Sequence, residues 1–351
     1  MSDVVSRPAP VSLRRTGDSG FWDGLEDHSH ASLFSSRPWI ETIAGTYGFS
    51  VSAVTCAARS SPAAVLFAVV SDLRGERVIS FPFSDYCDPL VEDAETWDRL
   101  VEVLLDMRRP LTLRCLRNNL PAVDSRFAVV GRAAWHGVDL SGSETDLWAG
   151  LPAEARSNVR RAQRGGLSVR VTQSLDDLRR YYDLHLHVRK YRFRLLAQPW
   201  ELFEHLHAAF APSDRLFLLL AERDGRCVAG DLMLAWRDTL YGKFAGAVDC
   251  KLFPSDLMSW EAIRLARRLG LARLDWGASD RDQPGLVAFK RKYATQEREL
   301  LRLRWEPPGY TDARAKLGER LLGHITELLT DPSVPDAITR RGGESLYGQF
   351  C

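Results

Sequence analysis

Two short runs hold most of the side chains that could do chemistry. Asp275-Trp276-Gly277-Ala278-Ser279-Asp280 closes an apolar stretch with two carboxylates and an indole, and Phe289-Lys290-Arg291-Lys292 sets an aromatic ring beside three cations. A carboxylate ending an apolar strand, as Asp275 does, is costly to desolvate unless it pairs with an arginine or opens into a site. Lys290 fits a cation held at a reaction centre and fits equally a solvated turn end, and Phe289 alone fits a core. Tyr241 and Lys243 flank Gly242 on a strand-like run, one face of which must point away from the core. Asp85 and Tyr86 follow Phe81-Pro82-Phe83 where a strand leaves the core, a place for binding groups as well as for a simple turn before Pro89. Two basic runs, Arg156/Arg160/Arg161/Arg164/Arg170 and Arg189/Lys190/Arg192/Arg194, suit either solvated helix faces or a phosphate-bearing partner.

The elements that must carry these residues are legible. Residues 216–221 and 227–236 flank Asp224-Gly225, a strong hairpin signal, and 240–247 reads as a third strand. Ser255 is expected as the N-cap of a helix with an apolar stripe at Met258, Ala262, Leu265 and Leu269, ended by Gly270, which delivers a strand at 272–276. The first half repeats the order, with strands at 51–57, 63–70 and 78–83, a helix at 97–107 and a strand at 111–116. This predicts an α/β (α+β) fold of two copies, each a mixed, mostly antiparallel sheet flanked by helices. The expected domains are 1–142, joined by a C-terminal helical segment at 311–351, and 143–310. Pro307-Pro308-Gly309 breaks the chain between them, 316–329 reads as an amphipathic helix, and the tail beyond Thr330 is expected to be mobile.

Composition sets bounds. The 351 residues are 45% hydrophobic and 26% charged, enough for two globular cores. With 47 basic against 46 acidic residues a uniformly basic nucleic-acid coat is excluded, leaving only local basic patches. No run approaches the roughly 20 apolar residues of a membrane span, and Met1 to Pro8 lacks the pattern of a secretion signal, so a cytoplasmic protein without stable membrane insertion is expected, acting as a monomer or weak dimer. The six cysteines have no metal-like spacing, and neither disulfide framework nor metal site is expected.

Taken together, Phe81 to Leu90, the arginine segment 151–166, Trp260-Glu261-Ala262-Ile263, Asp275 to Asp280 and Gly285-Leu286-Val287-Ala288-Phe289-Lys290-Arg291-Lys292 resemble the Fem family of peptidoglycan-bridge aminoacyltransferases, over about residues 39–305. The resemblance implies two tandem GNAT-like domains and transfer of an amino acid from the 3'-ester of aminoacyl-tRNA to an amine. The tRNA is then a co-substrate, no separate cofactor is needed, and the acceptor is a peptidoglycan precursor or a small amine. It places Phe289 and Lys290 at the reaction centre, with Asp275 as a further catalytic candidate. Asp85 and Tyr86 then fall in the acceptor pocket, with Tyr241, Lys243 and Asp280 as further substrate-binding candidates, and Arg156, Arg160, Arg164 and Arg291 on tRNA phosphate. An activated ester needs no covalent nucleophile, only a positioned amine, a cation near the developing oxyanion and a group that orients the amine. Two features depart from the family: Tyr293-Ala294-Thr295 stands where an aromatic and then glycine is usual, and 175–210 has no sustained heptads.

Two other functions fit the residues. An acyl-CoA-dependent N-acyltransferase would bind pyrophosphate on a glycine-rich turn before the main helix. Residues 248–256 contain no glycine, one proline and two aspartates, which disfavours it. A binding module without chemistry is the other, and the polar run 275–292 argues against it.

Overall fold

The computed structural model describes residues 11–57, 62–248 and 251–351. The stretch read for a secretion signal, and Asp249 and Cys250 of the loop weighed as a pyrophosphate site, lie outside the described residues. The chain forms two compact units, 1–132 with 300–315 and 133–299 with 316–351.

The first unit contains β1 (Val11–Arg15), α1 (Arg37–Tyr47), β2 (Ser50–Ala57), β3 (Pro62–Asp72), β4 (Gly75–Ile79), α2 (Ala94–Leu105), β5 (Leu111–Cys115) and the short α3 (Leu120–Val123). Strands β1 to β4 pair antiparallel in sequence order. β5 then joins β4 in parallel, and residues 301–305 return to pair antiparallel with β5. A parallel pair needs a crossover, and α2 supplies it, burying Trp97, Leu100, Val101 and Leu104 against Val65, Phe67 and Leu113. Asp93 caps α2 by accepting from the Thr96 amide at 2.8 Å.

The second unit holds most of β6 (Ala128–Asp139), then α4 (Glu144–Gly150), α5 (Ala153–Arg164), β7 (Ser168–Thr172), α6 (Leu175–His187) with a π-helical turn at Val188–Arg192, and α7 (Trp200–Phe210). There follow β8 (Leu216–Arg223), β9 (Arg226–Trp236), β10 (Thr239–Ala247), α8 (Pro254–Arg268), β11 (Arg273–Asp280), α9 (Pro284–Tyr293), the first residues of β12 (Gln296–Trp305), most of α10 (Ala313–Leu329), and α11 (Asp336–Leu346). Strand order here is β6-β11-β10-β9-β8-β7. All neighbours are antiparallel except β10 and β11, which α8 connects in parallel. The order of three antiparallel strands, helix and parallel strand thus occurs in both units, at β2-β3-β4-α2-β5 and at β8-β9-β10-α8-β11.

Local chemistry explains the boundaries. Asp224 and Gly225 sit at φ 50° and 74°, the left-handed pair that a two-residue hairpin requires. One face of the second sheet packs on α5 and α8 through Leu219, Met233, Leu240 and Leu274. The other carries Tyr181, Phe203 and Phe244, with the Tyr181 hydroxyl donating to the Phe244 carbonyl. Gly230 is needed for that second face, because a Cβ there would fall inside the Tyr181 ring. Gly230→Ala is therefore expected to cost about 1–3 kcal/mol by overpacking, measurable as a lowered denaturation midpoint with unchanged slope.

The tail differs from expectation. Residues beyond Thr330 form α11 and belong to the second unit rather than the first. The cause is the second basic run, which meets polar partners far along the chain. Lys190, 2% exposed, donates to the Val334 carbonyl at 2.5 Å and to Asp336 Oδ1 at 2.7 Å. Arg194 donates to the Thr330 carbonyl at 2.7 Å, while Arg192 donates to Ala247 at 3.1 Å. Lys190 is buried by its contacts, whereas Arg192 and Arg194 make theirs from exposed positions.

Candidate active site

The parallel pairing of β10 and β11 is short. Thr239, Leu240 and Tyr241 face Arg273, Leu274 and Asp275, and then both strands bulge, β10 between Gly242 and Phe244 and β11 between Asp275 and Ala278. Bulges bend and twist a strand, so the two diverge and leave a fork in the sheet. β11 thus continues through the polar motif to Asp280, beyond the strand expected at 272–276.

Asp275 makes the β11 bulge. It is 1% exposed, and its Oδ1 accepts the Trp135 indole N–H at 2.8 Å and the Gly277 amide at 2.7 Å. Gly277 adopts φ 71°, a left-handed conformation open to glycine at little cost. The bend brings the Gly277 and Ala278 carbonyls to Lys290 Nζ, at 3.2 and 3.0 Å. Lys290 sits on α9, half-buried, so the run 289–292 is helical rather than the end of a turn. Phe289 packs against the α8 core and Tyr293. Asp275 and Lys290 are thereby joined through one bulge, with the carboxylate inside and the ammonium at the fork.

A cavity of about 650 Å³ is lined by Ala247 and Val248 at the end of β10, the first turn of α8, His187, Tyr191 and Arg192, and by Phe289, the neighbour of Lys290 on α9. The α8 start differs from the sequence reading. Its N-cap is Phe253 at φ 57°, Pro254 is the first helical residue, and Ser255 lies inside the helix. Asp256 borders the cavity but is 6% exposed, and its Oδ1 accepts from Asn158 Nδ2 at 3.2 Å and from the Tyr293 hydroxyl at 2.8 Å.

The other predicted positions are spread over several elements. Tyr241 is buried, and Lys243 stands half-buried in the β10 bulge. Asp280 is exposed at the end of β11. In the first unit Asp85 is half-buried, whereas Tyr86 is fully buried, packs edge-on against Phe34 at 4.9 Å and accepts from Arg117 at 3.4 Å. Of the expected tRNA contacts, Arg156 donates to the Ala149 and Leu151 carbonyls and Arg291 is paired with Glu297 at 2.7 Å. Arg160 and Arg164 are exposed on α5, Arg160 over the Trp148 ring at 5.4 Å. Arg161 of the same helix lies 4.5 Å over Phe253, beside the cavity.

Sequence reasoning missed Trp135 and Asp231. Asp231 is a lone carboxylate in the apolar run of β9, 7% exposed, and its Oδ1 has no hydrogen-bond partner. Burial pushes its pKa up to about 7, against a smaller downward pull from Lys290. One acid inside an otherwise apolar strand was the available signal.

Residues 153–291 match the family model described as an acetyltransferase (GNAT) domain, so this part of the chain is a GNAT-type domain. Among solved structures it is similar to FemX, with TM-score 0.61 at 13% identity over 83% of this chain and 96% of that one. It is also similar to L-PGS from Bacillus licheniformis (TM-score 0.54, 15% identity, 88% and 98% covered). A tandem GNAT protein from the clavulanic acid biosynthesis pathway is a third (TM-score 0.54, 11% identity, 86% and 100% covered). No curated protein matches the chain in sequence. The fold is that of tandem GNAT-like domains, and the Fem-like resemblance read from the motifs is borne out in it.

Proposed function

We propose that this acyltransferase moves an amino acid from the 3'-ester of an aminoacyl-tRNA to an amine, forming an amide without a covalent enzyme intermediate. The acceptor is a peptidoglycan precursor or a small amine of a specialised pathway. The observation that carries the reading is the Lys290 ammonium, held by two backbone carbonyls at a fork, on the helix whose Phe289 lines a cavity of about 650 Å³. A fixed cation there can stabilise the oxyanion that develops when an amine attacks the ester carbonyl, without reorganising during the reaction. The ester is already activated, so positioning supplies much of the remaining barrier reduction. Cationic side chains near the cavity, Arg161 and Arg192, suit a donor that carries phosphate, and Arg160 and Arg164 extend that surface along α5.

Acyl-CoA is the second reading, favoured by the match to the acetyltransferase domain model. Against it, the first turn of α8 begins with proline, which has no N–H to offer pyrophosphate, and its N-cap Phe253 makes no side-chain cap. The test incubates the protein with total aminoacyl-tRNA carrying labelled amino acids, or with labelled acetyl-CoA, plus candidate amines, and measures acid-stable amide. Label transferred from acetyl-CoA and not from tRNA would overturn the proposal. With tRNA as donor the rate should fall steeply between 50 and 200 mM salt. Replacing Arg160 and Arg164 together with alanine is expected to raise KM for the tRNA about tenfold or more and to flatten that salt dependence, with kcat little changed.

A further inference from the structure

We propose that Asp231 is the proton acceptor of the transfer reaction, taking the proton that the attacking amine sheds as the amide forms. The inference rests on the reading above only in requiring an amine acceptor, and it holds for either acyl donor.

Position within the sheet is the first support. Asp231 faces Leu219 of β8 and Ala245 of β10 across the ladder, and Leu219 is part of the core on the α5/α8 face. The carboxylate therefore projects to that same face. Along β9 the neighbours on that face, Ala229 and Met233, are 1% and 0% exposed. Ala245, directly opposite, is exposed. The cover supplied by α5 and α8 is thus incomplete beside Asp231, on the strand that forms one arm of the fork.

Lack of partners is the second. A buried carboxylate without a hydrogen bond at Oδ1 is unusual, since most buried polar side-chain atoms are paired. Asp275, equally deep, is fully engaged at its Oδ1 by an indole and an amide. The fold supports one of its two central carboxylates and leaves the other with an open acceptor position. The charged and titratable groups around Asp231 are Lys290 from α9, whose charge reaches it, Tyr181 from α6, which feels its charge, and Lys243 in the β10 bulge two positions from Ala245. β8 presents Leu219. With burial raising its pKa to about 7, Asp231 matches the proton affinity suited to a base at neutral pH.

The step balances. The amine nitrogen bonds to the carbonyl carbon, and the negative charge that develops on the carbonyl oxygen falls to Lys290. The nitrogen gives one proton to Asp231 Oδ1. The bond from carbon to the leaving atom, oxygen in the tRNA ester or sulfur in a thioester, breaks, and that atom takes the proton from Asp231, which returns to its starting state.

The experiment compares the wild type with Asp231→Asn and Asp231→Glu. In the wild type kcat/KM should rise with pH through a midpoint near 7. Asp231→Asn should lower it at least 100-fold and abolish that limb, and Asp231→Glu should restore part of the rate together with a pH-dependent limb. The fold is checked by melting. A carboxylate whose folded pKa is raised loses stability as pH climbs from about 4 to about 7, so at pH 8 the Asn variant should melt no lower than the wild type. A readout independent of turnover is the titration of Asp231 by carboxyl-labelled NMR. Its midpoint should lie near 7 and move upward in Lys290→Met. An unchanged rate profile in Asp231→Asn, or a midpoint in the ordinary aspartate range and unmoved by Lys290→Met, overturns the assignment. Failure of the donor assay with tRNA but not with acetyl-CoA leaves these comparisons intact on the other donor.

Discussion

Lys290→Met is expected to lower kcat/KM by about 100- to 1,000-fold while the protein still folds. Methionine keeps the length of the side chain and its packing near Phe289 and loses only the ammonium. The loss corresponds to about 3–4 kcal/mol of transition-state stabilisation, the amount typical of one preorganised donor at a developing oxyanion. Its direct partners are the Gly277 and Ala278 carbonyls at 3.2 and 3.0 Å, and these lie on a bulge that Asp275 and Gly277 maintain without the lysine. Melting temperature should therefore change little and KM should change less than kcat. Single-turnover kinetics under saturating donor separates the two, and retained turnover would show that the reaction centre lies elsewhere. Lys290→Arg is not a conservative control, since a planar guanidinium does not reproduce a point charge cradled by two carbonyls.

Asp275→Ala should show the opposite balance, with a large loss of stability and activity lost as a consequence. The substitution leaves the Trp135 indole N–H and the Gly277 amide buried with no acceptor, and each orphaned donor costs about 1–3 kcal/mol. A total of about 3 kcal/mol, read from the shift of a urea midpoint, is the expected outcome. Asp275→Asn keeps an acceptor oxygen in the same place and should recover part of that stability. Lys290 depends on the bulge for its position, so any Asp275→Ala protein that remains folded should show reduced kcat with KM near normal. A variant with full stability and a 1,000-fold lower rate would instead make Asp275 a direct participant in the chemistry.

Several elements of this fold could be read without coordinates because their signals are local. Asp224-Gly225 announces a hairpin through backbone preference alone, and the two residues take the left-handed angles that preference demands. The α8 stripe and its stop at Gly270 follow from helical period and a glycine that tolerates φ 70°. The repeat of three strands, helix and strand was visible for the same reason, although little residue identity joins the copies. The helix start was misplaced by two residues: Ser255 is a better cap by type, but Pro254 is preorganised for the first helical position and shifts the boundary to Phe253.

The site was less legible. β9 is buried on both faces from Ala229 to Trp236, so it shows no alternation from which the direction of Asp231 could be inferred. Only its pairing with Leu219 and Ala245 assigns the face. Arg189 to Arg194 read as a solvated face or a phosphate contact, because charge in sequence carries no information about partners more than 130 residues away, such as the Thr330 carbonyl that Arg194 meets.

Taken alone, the sequence determined the layout of strands and helices, the two runs in which Asp275 and Lys290 stand, and the order of elements that carries them, since hairpin, period and capping signals act between near neighbours. Tertiary structure decided which of the polar residues are engaged and which are open: Asp275 tied to Trp135 and Gly277, Tyr86 sunk in the core, Asp231 left without a partner at Oδ1. Those outcomes depend on strand register, on bulges and on chain segments distant in sequence, and the free energy of a buried charge is set by what surrounds it in space.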